Sequence, residues 1–307
     1  MKIAVIGGAN VDITGISAAP LRERDSNPAQ VHLSGGGVAR NIACNLARLG
    51  AEVTFAGAVG DDGFGKFLRE SMAESGLDDS ALIVRKGFST GLYLALLEPA
   101  GDLFIAVNDM AVVESIGPAD VEALRDVIGA ADLAIVDANL RPETLEALQG
   151  LAASGRTPLM ADAVSVSKAE RLRAILPDLA VFKANRAEAA ALAGFPLDTD
   201  EALREGCRRL SGSGTVVCLT LGDRGSCYGC GDDFFKLPVL PAAVVNVNGA
   251  GDAFAAGAAY GFCRGRGLEE AAVFASACAA VTVESGDGVS AELTLERVLE
   301  RAARYRA

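Results

Sequence analysis

Histidine is almost absent from this chain of 307 residues, which contains only His32. Mechanisms that use histidine as the general base are therefore disfavoured, and proton transfer must fall to carboxylates or lysines. A zinc or redox site is also disfavoured, because Cys227 and Cys230 form a C-x-x-C pair without a second pair to complete four ligands. The seven cysteines are an odd number and lie mostly in apolar runs, which predicts reduced thiols in the core.

Basic residues are in the minority, with 28 lysines and arginines against 40 aspartates and glutamates and a formal net charge of -12. They are scattered, so the chain has no positive stripe for a phosphate backbone, and no nucleic-acid polymer is predicted as a partner. No run reaches the roughly 18 apolar residues of a membrane span, and the start of the chain shows no cleavage-site pattern. The prediction is a soluble, cytoplasmic protein with no membrane partner.

Two kinds of segment alternate along most of the chain. Aliphatic runs typical of buried strands occupy residues 2–6, 53–58, 133–136, 158–161, 179–182 and 215–221. Helical periodicity covers residues 38–49, 64–74, 118–129, 142–153, 187–193 and 199–210. This alternation predicts one α/β domain over residues 1–307, with a Rossmann-like, mainly parallel sheet and helices on both faces.

Two segments, at about 11–34 and 82–107, interrupt that alternation. They show polar and apolar residues in turn, separated by glycine, proline, aspartate and asparagine, and no helical period. This pattern predicts short antiparallel strands that pair into a small second sheet. Further along, residues 251–280 are dense in alanine and glycine at helical spacing, which predicts close-packed helices.

Residues 246–252, Asn-Val-Asn-Gly-Ala-Gly-Asp, follow an apolar run and open an alanine-rich helix. The N–H groups of Gly249, Ala250 and Gly251 can converge at the helix N-terminus, whose partial positive charge suits a phosphate. Asp252 at the same point can accept the proton of an attacking hydroxyl, and phosphoryl transfer needs this pairing of base and anion hole. A plain helix N-cap after a flexible turn is the alternative.

A second polar cluster follows the first strand. Residues 7–12 end in Asn10 and Asp12, and residues 35–41 run from three glycines to Asn41 at the start of a helix. Ligands of parallel-sheet folds bind at the carboxyl ends of the strands, where these residues fall. A carboxylate and amides can hold vicinal sugar hydroxyls, and glycines let the backbone approach the ring. Tight turns with side-chain caps are the alternative.

With these motifs in their order, the chain resembles the ribokinase-like (PfkB) family of carbohydrate and nucleoside kinases. The resemblance covers essentially all 307 residues and rests on six ordered motifs. They are Gly7-Gly8 to Asp12, Gly36-Gly37 to Asn41, Val59-Gly60-Asp61-Asp62-x-Phe64-Gly65, Lys183-x-Asn185-x-x-Glu188, Thr220-Leu221-Gly222-x-x-Gly225 and Gly249-Ala250-Gly251-Asp252. A family member would have a ribokinase-like fold whose small β-strand lid covers the acceptor, excludes water and pairs with the lid of a second chain in a homodimer.

The resemblance implies a role for each matching residue. Asp252 would be the catalytic base, with the amides of Gly249, Ala250 and Gly251 as the anion hole. The acceptor would be held by Asn10, Asp12, Gly36, Gly37 and Asn41. ATP would be bound by Asn185, Thr220, Gly222 and Gly225 together with Gly249 and Gly251. Mg²⁺ would be organised by Asn185 and Glu188 through water, since it usually keeps several waters.

Within the family, the chain is most similar to pseudouridine kinases. The similarity lies in residues 7–13, 25–28, 36–43, 107–110 and 162–168. It implies phosphorylation of the 5′-hydroxyl, with the polar side chains of Ser26, Asn27 and Asn108 facing a uracil that exposes one more ring N–H than in uridine. Lys168 would reach toward the phosphate or the acceptor. Turn formation by the lid residues and a surface position for Lys168 are the alternatives.

One departure from the family concerns cations. Many members begin the helix-opening motif with Asp-Thr, where this chain has Asn246 and Val247, so a carboxylate for a monovalent cation is missing and potassium activation is in doubt. Carbonyl groups of residues 286–288 remain as candidate ligands. An apolar slot near Cys278 and Ala279 is expected to hold the adenine.

Three other functions are compatible with parts of the pattern. A ribose, fructose, adenosine or uridine kinase would use the same machinery. A dinucleotide-dependent oxidoreductase is disfavoured, because G-x-G-x-x-G is absent after the first strand. A non-catalytic sugar- or nucleotide-binding regulator would have no need of Asp252 beside its glycines.

Overall fold

The computed structural model describes residues 1–212 and 214–306. Its strands are β1 (Lys2–Ile6), β2 (Asn10–Ser17), β3 (Ala29–Gly36), β4 (Glu52–Ala56), β5 (Ala58–Gly60), β6 (Ile83–Arg85), β7 (Leu92–Leu97), β8 (Leu103–Asp109), β9 (Leu133–Asp137), β10 (Leu159–Asp162), β11 (Val181–Asn185), β12 (Val216–Thr220), β13 (Ser226–Cys230) and β14 (Asp233–Leu237). Its α-helices are α1 (Val38–Arg48), α2 (Gly63–Glu74), α3 (Ala111–Glu114), α4 (Pro118–Ala123), α5 (Arg125–Gly129), α6 (Pro142–Gly155), α7 (Val166–Ala169), α8 (Arg186–Ala193), α9 (Asp200–Leu210), α10 (Ala250–Cys263), α11 (Leu268–Val283) and α12 (Leu295–Arg306).

Eight strands form the large sheet, in the order β14-β13-β12-β11-β10-β9-β1-β4. Only the pairings of β13 are antiparallel, and the other pairs are parallel. Parallel neighbours require a crossover connection, which the intervening helices provide. The predicted mainly parallel sheet is therefore confirmed.

Alternate residues of the central strands enter two separate cores. Ile3 and Val5 of β1 pack with residues of α1, α10 and α11, whereas Ala4 and Ile6 pack with residues of α6, α8 and α9. Strands buried on both faces read as continuous aliphatic runs, which explains the lack of a two-residue period in the sequence. Helices cover both faces, as predicted. Among the described residues, no helix combines the length and the apolar character that crossing a membrane demands.

Some element boundaries differ from the predictions. Residues 118–129 form two helices, α4 and α5, because Leu124 leaves helical geometry with a ψ of 5°. β11 runs from Val181 to Asn185, later than predicted, because the charged Lys183 lies inside the strand and hides its pattern. The hairpin of β13 and β14 and the helix α12 lie outside the predicted elements.

A separate four-stranded sheet, called the lid sheet below, has the order β3-β2-β7-β8. Its outer pairs are antiparallel, as predicted, but the central pair of β2 and β7 is parallel. The antiparallel prediction is wrong for that pair, because the chain returns to the lid sheet by a crossover through α2 and not by a hairpin. The strand β6 pairs with β5 in a two-stranded sheet of its own.

The two faces of the lid sheet differ in polarity. Directly paired residues of neighbouring strands share a face. One transverse row consists of Ser34, Asp12, Tyr93 and Asn108. The adjacent row faces the other way and consists of Leu33, Ile13, Leu94 and Val107. In this second row Leu33 and Val107 are 50% and 58% exposed, so the sheet presents an uncovered apolar face opposite Asp12.

Candidate active site

The predicted site residues gather where the parallel strands of the large sheet end. β9, β10 and β11 end at Asp137, Asp162 and Asn185, and their parallel register places these ends at one edge. Ligands of open parallel sheets bind at this edge. Three buried or half-buried polar residues therefore come from strand ends at the place where α10 begins.

Asp252 lies in the first turn of α10 and accepts a hydrogen bond from Nδ2 of Asn41, at 2.8 Å from its Oδ2. Burial raises the pKa of Asp252 to about 7, with smaller effects of the same sign from the Asp162 and Asp137 carboxylates. The Lys183 ammonium and the Asn41 hydrogen bond act in the opposite direction. A carboxylate with a pKa near neutrality is suited to accept a proton at neutral pH.

The backbone before Asp252 bends sharply. Gly249 is the N-cap of α10 with a φ of 75°, a left-handed conformation that favours glycine. A Cβ at this position would overlap the carbonyl oxygen of Gly288. The Ala250 amide donates to the Val247 carbonyl over a long 3.4 Å. The helix N-terminus predicted as an anion hole is thus held against residues 286–288.

A buried lysine that sequence reasoning left without a role lies beside this turn. The Nζ of Lys183 is 2.9 Å from Oδ2 of Asp162, its direct partner on the neighbouring strand. A Cβ on Gly251 would lie 3.3 Å from the same Nζ. Burial opposes the charge of Lys183, but the carboxylates of Asp162, Asp252 and Glu188 outweigh burial and raise its pKa. The only sequence signal was its place in the motif with Asn185 and Glu188.

The acceptor end predicted from the sequence is assembled around Asp12. Asn10 donates from Nδ2 to Oδ1 of Asp12 at 2.5 Å. Burial raises the pKa of Asp12, against the Asn10 hydrogen bond and the charge of Arg40, which lower it. Gly36 lies so close that an added Cβ would overlap the Asp12 carboxylate. Asn41, which was also predicted to contact the sugar, donates from its amide to Asp252.

Asp137 organises the backbone between these two ends. Its buried carboxylate accepts from the N–H groups of Gly8, Ala39 and Asn139 at 3.0 to 3.1 Å. These hydrogen bonds connect the first glycine loop and the start of α1 to β9. Gly37 is the N-cap residue immediately before α1. Lys168 joins the same cluster, because its Nζ donates to Oδ1 of Asn139 at 2.6 Å. Lys168 is half-buried, and burial lowers its pKa, so a plain surface position is excluded.

Of the three lid residues predicted to face a base, Asn108 lies in a strand, whereas Ser26 and Asn27 lie in a loop. Asn108 shares the row of Asp12, but the register pairs Asp12 with Ser34 and Ser17 with Ala29. Ser26 and Asn27 lie in the loop that joins Ser17 to Ala29, beyond Ser17, which is five positions after Asp12 along β2. The Asn27 side chain closes a turn on the Arg22 backbone at 2.8 and 3.0 Å.

A cavity of about 670 Å³ lies next to the start of α10. Its lining includes five of the six residues predicted to bind ATP, namely Asn185, Thr220, Gly222, Gly225 and Gly251, as well as Ala250, whereas Gly249 is not among the lining residues. The remaining lining is mostly apolar and includes Val244, Val247 and Phe254. Ala279 also lines the cavity, whereas Cys278 is fully buried and does not.

The carboxylate of Glu188 fits a hydrated cation only in part. Its two oxygens accept from the backbone N–H and the Nδ2 of Asn185, both at 2.7 Å, in a capping box that begins α8. The described residues contain no cluster of three or more metal-ligating side chains. Mg²⁺ keeps several waters and needs few protein ligands, so Glu188 and Asn185 suit contact through water and not direct ligation.

Asn246 is hydrogen-bonded to one of the carbonyl groups that were candidate cation ligands. Its Nδ2 donates to the Gly286 carbonyl at 2.8 Å, and its Oδ1 accepts from the Asn248 N–H at 2.9 Å. The amide thus joins the two loops that flank Gly249.

Comparisons with known proteins agree with this arrangement. Residues 1–294 match the pfkB family carbohydrate kinase. The chain is 31% identical to the pseudouridine kinase of Escherichia coli (strain K12) over 97% of this chain and 95% of that protein. It is 29% identical to the guanosine-inosine kinase of Exiguobacterium acetylicum over 74% of this chain and 75% of that protein.

A solved structure of a carbohydrate kinase from Agrobacterium tumefaciens superposes with a TM-score of 0.85 at 34% identity, covering 98% of this chain and 97% of that one. The fold is therefore ribokinase-like, as the sequence motifs implied. A kinase of this family transfers a phosphoryl group to a hydroxyl. The chain belongs to the PfkB family of carbohydrate kinases.

Proposed function

We propose that the protein phosphorylates the ribose 5′-hydroxyl of pseudouridine with ATP, giving pseudouridine 5′-phosphate and ADP. The observation that carries the proposal is a polar row on one face of the lid sheet. It consists of Ser34, Asp12, Tyr93 and Asn108, so the other polar side chains lie beside the carboxylate proposed to hold the ribose, Asp12. Near full-length similarity to a pseudouridine kinase supports it. Asn108 is the lid side chain that contacts the base, whereas Ser26 and Asn27 form part of the loop between β2 and β3.

In the proposed mechanism, Asp12 with Asn10 accepts hydrogen bonds from the ribose hydroxyls and orients the ring. The 5′-oxygen attacks the γ-phosphorus as its proton passes to Asp252. The bond from that phosphorus to the β–γ bridging oxygen breaks, and ADP leaves. The amides at the start of α10 stabilise the phosphoryl oxygens. When bound through water near Glu188 and Asn185, Mg²⁺ supplies positive charge to the phosphates.

Acceptor competition tests the substrate. With Mg·ATP, we expect kcat/KM for pseudouridine to exceed that for uridine, adenosine, ribose and fructose by at least about 100-fold, because a site that hydrogen-bonds a substrate N–H rejects analogues that lack it. Asn108→Ala should lower kcat/KM for pseudouridine and leave ATP binding unchanged. Turnover on a free sugar but not on pseudouridine would contradict the proposal.

A different nucleoside acceptor is the second candidate. The similarity to a guanosine-inosine kinase favours it, since the acceptors in that protein's name are purine nucleosides. Preference for a purine nucleoside in the same assay would support this candidate while leaving the transfer chemistry in place.

We also propose that a second copy of the chain covers the apolar face of the lid sheet. Exposed apolar patches of this kind mark interaction sites. We expect the protein to have twice the chain mass in light scattering, and Val107→Lys to give monomers. Val84→Lys is the matched control, because Val84 is an exposed valine outside the lid sheet. A monomeric wild type at micromolar concentration, or equal effects of both substitutions, would contradict a lid dimer.

A further inference from the structure

Arg40 is a buried arginine whose guanidinium contacts three different elements. It is the third residue of α1 and is 3% exposed. Its Nη1 donates to the Gly35 carbonyl in β3 at 3.0 Å and to Oδ1 of Asn41 at 3.1 Å. Its Nη2 donates to Oγ of Ser71 in α2 at 2.5 Å. The side chain therefore connects the C-terminal end of β3 at Gly35 and Gly36, called the root of the lid sheet below, to the helices α1 and α2.

The contact with Asn41 determines how the Asn41 amide is oriented. A carboxamide has one accepting and one donating end. Because Arg40 has only donors, it requires the oxygen of Asn41, and the NH₂ group is left to face Asp252. A flipped amide would set two donors against each other at Arg40 and two acceptors against each other at Asp252. The orientation of the Asp252 partner thus depends on Arg40.

The same guanidinium also acts at the acceptor end. Its positive charge favours the ionised form of Asp12. Gly35, which it holds, precedes Gly36, and Gly36 lies against the Asp12 carboxylate. Arg40 therefore contacts both the root of the lid sheet and the partner of Asp252. Within the described residues its buried Nε has no hydrogen-bond partner.

We propose that Arg40 is a positioning residue for phosphoryl transfer. It holds Asn41 in the single orientation that donates to Asp252 and links that orientation to the root of the lid sheet. The inference rests on Asp252 acting as the base. The Asp252→Asn variant tests that role separately, so a failure of the Arg40 proposal can be distinguished from a failure of Asp252 as the base.

A double-mutant cycle tests the proposal. We expect Arg40→Met to lower kcat by roughly 10- to 100-fold, the effect of losing a charged hydrogen-bond donor, with little change in the KM for ATP. Asn41→Ala should have a similar effect, and the double variant should be no worse than either single one, because Arg40 acts through Asn41. Ser71→Ala is the control, since it removes the anchor in α2 but leaves the contact with Asn41, and should change kcat less than about threefold.

The pH profile distinguishes positioning from a structural role. Asp252 is faced by Lys183 on β11, Asp162 on β10, Asp137 on β9 and Asn41 on α1. Loss of the hydrogen bond from Asn41 favours the protonated form of Asp252. The acid limb of the pH profile of kcat should therefore move to higher pH in Arg40→Met and stay in place in Ser71→Ala. If Arg40→Met does not fold, Arg40→Gln replaces it in the cycle, because a neutral carboxamide can offer Asn41 either a donor or an acceptor and no longer fixes its orientation. Additive effects with an unchanged acid limb would overturn the proposal.

Discussion

Asp252→Asn is expected to lower kcat by about 10² to 10⁴-fold, the usual contribution of a general base. The substitution keeps the shape of the side chain and an oxygen that can accept from Asn41, so the site should remain assembled. Binding of ATP and of the nucleoside, measured by calorimetry, should change by less than about threefold. Unchanged turnover would remove Asp252 from the role of base.

The pH dependence of the wild type is the companion measurement. A base works only when it is deprotonated, and burial raises the pKa of Asp252 to about 7. Activity should therefore be half-maximal near pH 7, level off about one pH unit higher and fall about tenfold per pH unit well below pH 7. This acid limb should vanish from the residual activity of Asp252→Asn. A limb that persists at the same midpoint would assign the titration to another group.

Gly249→Ala is expected to cause the second large loss. The position has a φ of 75°, and the added methyl group would overlap the Gly288 carbonyl oxygen, so the turn must move. Displacing the amides at the start of α10 removes stabilisation of the phosphoryl oxygens, and the loss of one such donor costs about 10²- to 10³-fold in kcat. Steady-state kinetics with the nucleoside saturating would measure this loss.

The control for this loss is Gly286→Ala in the facing loop. No atom lies within 4 Å of a Cβ at that position, and its φ is not positive. We expect wild-type kcat and an unchanged thermal midpoint. Equal activity of Gly249→Ala and Gly286→Ala would show that the geometry of the α10 start is not needed for transfer.

Much of the large sheet could be predicted because its signals are local. The aliphatic runs of β1, β9 and β10 and the periods of α1, α6 and α9 depend on residues within one turn or one strand. Prediction failed where a local pattern was broken. Lys183 interrupts β11, Leu124 divides α4 from α5, and the parallel pairing of β2 with β7 depends on the path of the chain through α2.

By itself, the sequence determined the family, most of the strand and helix order before α10, and the glycine-rich start of α10 beside Asp252, because these are contiguous motifs. The tertiary structure alone decided how the distant partners meet. Asn41 lies 211 residues from Asp252 in the chain, and no periodicity relates them. Its orientation by Arg40, the pairing of Lys183 with Asp162 and the polar row across the lid sheet follow from strand register and burial, which only the folded chain defines.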